Sequence, residues 1–183
     1  MKAIAFPIFA AFVMVLAGCE STPVTPESAI PDRAQETLNT METADSGLRT
    51  ITDKSYAYAI FPEVGAAALG VGGAGGKGVV YQNGKEIGVV VLNQGSIGLQ
   101  LGGDTYSELI VFDTPEAFDS FRNGKLEFGA DASATIIKAG SAAAAPFNHA
   151  TRIFAMPKGG LMAGISVSGQ KFTFTPASSN NNL

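Results

Sequence analysis

Residues 78–92, GVVYQNGKEIGVVVL, set Asn83-Gly84 between two runs of β-branched and aromatic residues. Asn and Gly enter the left-handed region most cheaply, and a two-residue turn between right-twisted strands needs that region at both central positions. The segment therefore predicts a β-hairpin with a type I′ turn. The same texture extends on both sides. Short runs rich in Val, Ile, Tyr and Phe, divided by glycines, predict strands at residues 57–61, 66–71, 96–102, 106–112, 131–138, 151–156, 161–167 and 170–175. The 22 glycines of the chain suit a sheet that bends sharply or brings backbones close together.

Two segments read as helices. Between Arg33 and Lys54, Leu38, Met41, Leu48 and Ile51 recur at spacings of three, seven and three, which lays them on one helical face, with Gly47 weakening the middle. A shorter helix is expected to start at Thr114 as N-cap, with Pro115 in its first turn and Glu116 at the positive end of the dipole. Phe118 and Phe121, with Ala117 beside them, should face the sheet, and Gly124 should stop the helix. The fold class expected is α+β: a strongly twisted antiparallel sheet or partly closed barrel, with an N-terminal helix and one short inserted helix.

The first residues read as a secretory leader. Lys2 precedes an apolar run from Ala3 to Leu16, which ends in the tetrad Leu16-Ala17-Gly18-Cys19. Ala17 and Gly18 are small enough for a peptidase that cuts before a lipid-modified cysteine. Cys19 is the only cysteine of the chain and is the expected lipidation site. The apolar run, interrupted by Pro7, falls short of the ~20 residues that span a bilayer. Two or three acyl chains on one cysteine would make a lasting anchor, because each buried methylene contributes about 0.8 kcal/mol. The expected organisation is a leader over 1–18, a lipidated cysteine and Pro-rich tether over 19–32, one domain over 33–175 and a polar tail over 176–183. Glu20 follows the cysteine where Asp would retain such a protein at the inner membrane. The expected location is the periplasmic face of the outer membrane, with the cell surface as the alternative.

The composition and motifs exclude several classes of function. Charged residues make up 15% of the chain and the formal net charge is -4, a poor surface for nucleic acid. Gly70, Gly72 and Gly75 formally match a dinucleotide fingerprint, but a strand and turn are expected after them where that site needs a helix N-terminus. A triphosphate loop fails too, because Val71 occupies its first glycine and Gly78 follows Lys77. The expectation for this stretch is a strand-edge loop. His149 is the only histidine, and GISVSG misses the nucleophile-elbow spacing around Ser166 and Ser168. One histidine and no free thiol leave a zinc site short of ligands. Asp104, Glu108, Asp113, Glu127 and Asp131 are expected to be scattered and solvated. No metal, cofactor or enzymatic activity is expected. Lys77, Lys85, Arg152 and Lys158 lie beside glycines or turns and are the candidate contacts to phospholipid head groups, each near-surface charge adding about 1 kcal/mol on an anionic leaflet. Spacing alone equally allows them to be ordinary solubilising cations.

Four stretches in order resemble the SYLF domain family, over roughly residues 35–175: AYAIFPEVGAAALGVGGAGGKGVV, GSIGLQLGGDTYSELIVFDTPEAFDSF, FGADASATI and GLMAGISVSG. The resemblance implies a non-enzymatic, lipid-binding domain; the family also includes phosphoinositide- and actin-binding members. This chain departs from them at the start of the domain, where Asp32, Glu36, Glu42, Asp45 and Asp53 outnumber Arg33, Arg49 and Lys54, and it has no tryptophan. Phosphoinositide specificity and actin binding are therefore not carried over. The function expected is that of a membrane-anchored envelope lipoprotein binding phospholipid; the alternative is a module that binds envelope proteins through its glycine-rich edge strands.

Overall fold

The computed structural model describes residues 29–65, 74–94, 105–126, 128, 135–137, 146–148, 150–159, 167 and 169–177. Cys19 with its leader, most of the expected strands at 66–71, 96–102 and 161–167, and Asp104, Glu127, Asp131 and His149 lie outside the described residues.

The apolar face between Arg33 and Lys54 forms two helices, α1 (Ile30–Ala44) and α2 (Gly47–Lys54). The single helix expected there breaks at Asp45-Ser46. The Asp45 carboxylate accepts the Gly47 backbone N–H at 2.9 Å, a local bond that competes with continuing the helix. Helix α1 also begins before the expected domain boundary at residue 33. Pro31 lies in its first turn, where a missing N–H removes no helical bond, and Ile30 is buried. Residues 30–32 thus belong to the domain, not the tether.

The strands are β1 (Ala57–Gly65), β2 (Ala74–Gln82), β3 (Lys85–Gln94), β4 (Tyr106–Phe112), β5 (Thr135–Ile136), β6 (Pro146–Asn148), β7 (Thr151–Pro157) and β8 (Gln170–Pro176). They form one sheet in the order β5-β7-β4-β1-β2-β3-β8, with β6 pairing β7 off that path. Ladders are antiparallel except β5 on β7, which is parallel, so the sheet is mixed and not wholly antiparallel as expected. The hairpin holds as read: Asn83 and Gly84 both have positive φ, 52° and 72°. The second half of the glycine-rich stretch is strand β2 rather than a loop, and it runs into that turn with no helix after it.

A proline in the middle of the central strand shapes the sheet. Pro62 has no N–H to give a ladder, and the register of β1 slips beside it against both neighbours, as prolines within sheets require. Ser107 Oγ donates to the Pro62 carbonyl at 2.8 Å. A Cβ on Gly78 would come within 2.7 Å of the Ile60 carbonyl and of the Phe61 ring, so only glycine lets β2 follow β1 past the bulge.

The sheet curls strongly. Strands β4 and β8 are separated by β1, β2 and β3, which would hold them ~19 Å apart in a flat sheet, yet Gln170 of β8 reaches Glu108 of β4 at 3.0 Å. Phe172 of β8 lies 6.1 Å from Phe61 and 5.0 Å from Phe121, ring centre to ring centre. The path of strands nonetheless stays open. The concave face packs Phe61, Ile110, Phe112, Ile153 and Phe172 against α3 (Pro115–Arg122), whose Phe118 and Phe121 are buried. Thr114 caps that helix, accepting the Ala117 N–H at 3.3 Å. The convex face packs Ile60, Val79, Leu109, Val111 and Phe154 against Ile30, Ala34, Leu38 and Met41 of α1 and Leu48 of α2.

The registers also define two ends. Gly65, Ala74, Gln94, Tyr106, Pro157 and Gln170 lie at one, and the Asn83-Gly84 turn, Phe112 and Thr151 lie at the other.

Candidate functional site: a cation cluster around Glu63

The residue after the bulge is Glu63, turned to the convex face by the extra residue in β1. One of its oxygens, Oε2, accepts from Arg33 Nη2 of α1 at 3.3 Å and from Lys158 Nζ, just past β7, at 3.4 Å. Lys77 stands directly opposite Glu63 in the β1–β2 register and is exposed. Two cations thus bond one carboxylate, and a third stands across the ladder from it. The ion-paired side chains are 33–38% exposed. Pairs this accessible to water contribute about 0–1 kcal/mol, so a competing anion can exchange with Glu63 at little cost. Beside the cluster a groove of about 460 Å³ runs between α1 and the end of β7, and its lining includes the cations Arg33 and Lys158 together with the carboxylate of Glu36.

Of the four cations singled out from the sequence, Lys77 and Lys158 share this cluster. Lys85 and Arg152 do not. Lys85 follows the Asn83-Gly84 turn at the far end, and Arg152 stands opposite Val111 on β7, where its guanidinium bonds the Asp113 carboxylate. The sequence reading missed Arg33. Its signal was helical: it adjoins the buried Ala34 at the margin of the apolar face, where a long side chain can reach the sheet.

A second cleft, about 500 Å³, opens at the far end between the helices and the hairpin turn. Its groups satisfy one another. Glu42 accepts from Arg49 Nε at 3.0 Å and from Thr52 Oγ1 at 3.2 Å, and Tyr58 stacks on Tyr81 with ring centres 5.2 Å apart. Burial, aided by nearby carboxylates, raises both phenols, that of Tyr81 to about 12, so neither is an acid near neutral pH.

The acids expected to be scattered are not all solvated. Asp113 pairs with Arg152, but Glu108 is wholly buried on the concave face. These two point to opposite faces of the sheet and form no catalytic pair. Among the described residues no group of three or more His, Cys, Asp or Glu side chains could hold a metal, and no helix is long and apolar enough to cross a membrane.

Residues 93–182 match the family model described as Ysc84, Las17-binding protein actin regulator. They belong to the Ysc84 (SYLF) family. The Ysc84 match takes in β4 through β8 with α3, and so contains Glu108, Arg152, Lys158 and Gln170. It begins well after residue 35, leaving α1, Glu63 and Lys77 before it. Comparison with curated proteins finds no match.

Proposed function

We propose that the chain is an envelope lipoprotein, held by lipid on Cys19 at the periplasmic face of the outer membrane, whose SYLF domain binds phospholipid. One observation carries the lipid reading. Arg33, Lys77 and Lys158 gather around Glu63 toward the end of the sheet where the strands flanking residues 66–73, 95–104 and 160–166 begin and finish, and those three stretches of sequence contain one charged residue, Asp104. A phospholipid presents a phosphate above an apolar body, and a cation cluster near strand ends that lead into uncharged sequence is its complement. The Ysc84 match supports a non-enzymatic binding module. Its actin-regulator description is not carried over to this chain, because a protein exported to the envelope would not meet actin in its own cell.

Vesicle flotation tests the reading. The chain from Glu20 onward, which lacks leader and anchor, should float with vesicles containing anionic phospholipid and should release as salt rises. Reversing charge at both Lys77 and Lys158 to Glu should weaken binding about tenfold or more, and Lys85→Glu far less. Equal losses at Lys85 and at the pair would dissociate binding from the Glu63 cluster. The alternative, an envelope-protein partner, was expected on glycine-rich edge strands, but the glycine-rich β2 lies between β1 and β3, so it rests instead on edge strand β8, whose only ladder among the described residues is with β3. No flotation, together with a cross-linked partner strand on β8, would favour it. Mass spectrometry of the mature native protein tests the anchor: acylated Cys19 as first residue is expected, and a free thiol or intact leader would exclude it.

A further inference from the structure

Glu108 lies in the middle of β4 with its carboxyl inside the curl of the sheet, at 0% exposure. It accepts Gln170 Nε2 at 3.0 Å through Oε2, and the Tyr106 hydroxyl also bonds the carboxyl. Among the described residues Glu108 Oε1 has no partner, and neither has Gln170 Oε1. A buried acceptor without a donor is costly. A proton on Glu108 Oε1 changes that atom from an acceptor lacking a donor into a donor.

The position of the group gives this proton a structural consequence. Gln170 belongs to β8, an edge strand hydrogen-bonded to β3 alone among the described residues. Its bonds to Glu108 and toward Tyr106 Oη, at 3.4 Å, tie that edge across the concave face to β4. β8 also carries Phe172 into the aromatic wall formed by Phe61, Phe121 and Phe128. No charged side chain of the described residues faces the carboxyl from the elements around it. Phe61 comes from β1, Gln94 from β3, Ala155 from β7, Gln170 and Phe172 from β8, and Phe118 and Phe121 from α3. On its own strand Tyr106 is the one titratable neighbour.

We propose that Glu108 is a buried proton switch: with its proton, edge strand β8 is clasped to β4 across the concave face, and without it the clasp loosens and β8 parts from β4. Burial pushes the carboxyl up to about 7, outweighing the opposing bonds from Gln170 and Tyr106. The switch therefore operates around neutral pH. Once ionised, the buried carboxylate has two neutral donors and no counter-charge among the described residues, and separation of the strands lets water reach it.

Hydrogen exchange of the β8 amides in the full chain, corrected for the intrinsic pH dependence of exchange, reads the switch. Protection should fall by about thirtyfold between about pH 5.5 and about pH 8.5. Glu108→Gln keeps the shape and cannot ionise, so it should hold the low-pH protection throughout. His149→Gln removes the only histidine and should leave the fall in place. Constant protection in the native chain, the same fall in Glu108→Gln, or its loss in His149→Gln would overturn the proposal. Should Glu108→Gln fail to fold, the infrared band of the protonated carboxyl in the native chain decides: a band that vanishes around neutrality supports the switch, and one already absent at about pH 5.5 overturns it.

Discussion

Glu63 and Glu108 occupy neighbouring strands, and water makes them opposites. Glu63 pairs with cations that solvent can reach, whereas Glu108 has lost its solvent and has gained only neutral donors among the described residues. Linkage gives the sign of the consequence. An unfolded glutamate titrates near 4.5 and the folded one near 7, so the stabilising proton is fully held below about 4.5 and lost as pH rises through about 7. Urea unfolding should show lower stability at pH 8 than at pH 5, by at most about 3 kcal/mol, and Glu108→Gln should flatten that slope. Gly78→Ala should cost more than about 1 kcal/mol at any pH, since the added carbon meets backbone that cannot move aside. Burial of Glu108 was legible. Alternation along YSELIVF puts it on the same face as Tyr106, Ile110 and Phe112, and the expectation of a solvated acid set that period aside. Its partner Gln170 was not legible, because only the curl of the sheet brings β8 to β4.

The elements that sequence specified well are those whose signals are local. The Asn83-Gly84 turn and the run of Thr114, Pro115 and Gly124 each fix backbone geometry within a few residues, and both hairpin and helix α3 formed as read. Thr114→Ala should lower stability by about 1 kcal/mol, measured by thermal or urea unfolding, because the Ala117 N–H loses its acceptor. Elements that exist through a distant partner were harder. The two-residue strand β5 lies inside the strand expected at 131–138, whereas three-residue β6 is defined by lying along β7, and nothing in its own residues calls for a strand. The break between α1 and α2 was read as a weakness at Gly47, whereas the Asp45 side chain makes the competing bond. Lys77 and Lys158 were legible as candidates but not as a pair, since the bulge at Pro62 aims Glu63 at the position between them.

Over the whole molecule, charge and apolar sequence are unevenly shared between the two ends of the sheet. The Glu63 cluster leans toward one end, and the polar cleft with its paired Glu42 and Arg49 lies toward the other. If Glu63 competes with a head-group phosphate, Glu63→Gln should tighten binding to anionic vesicles about fivefold in a flotation titration, with less than about 1 kcal/mol change in stability. The strand order has a kinetic corollary. Central β1 finds β2 soon after it is made, but Ile60 must await Leu109 on its other side, and such distant pairings are slow to close. A chain truncated after Gln94 would possess the β1–β2–β3 meander with the inner flank of β1 bare, a template for self-association. Until β4 arrives, a nascent chain is in the same condition, and a chaperone shielding Ala57–Gly65 would protect the segment most in need of it.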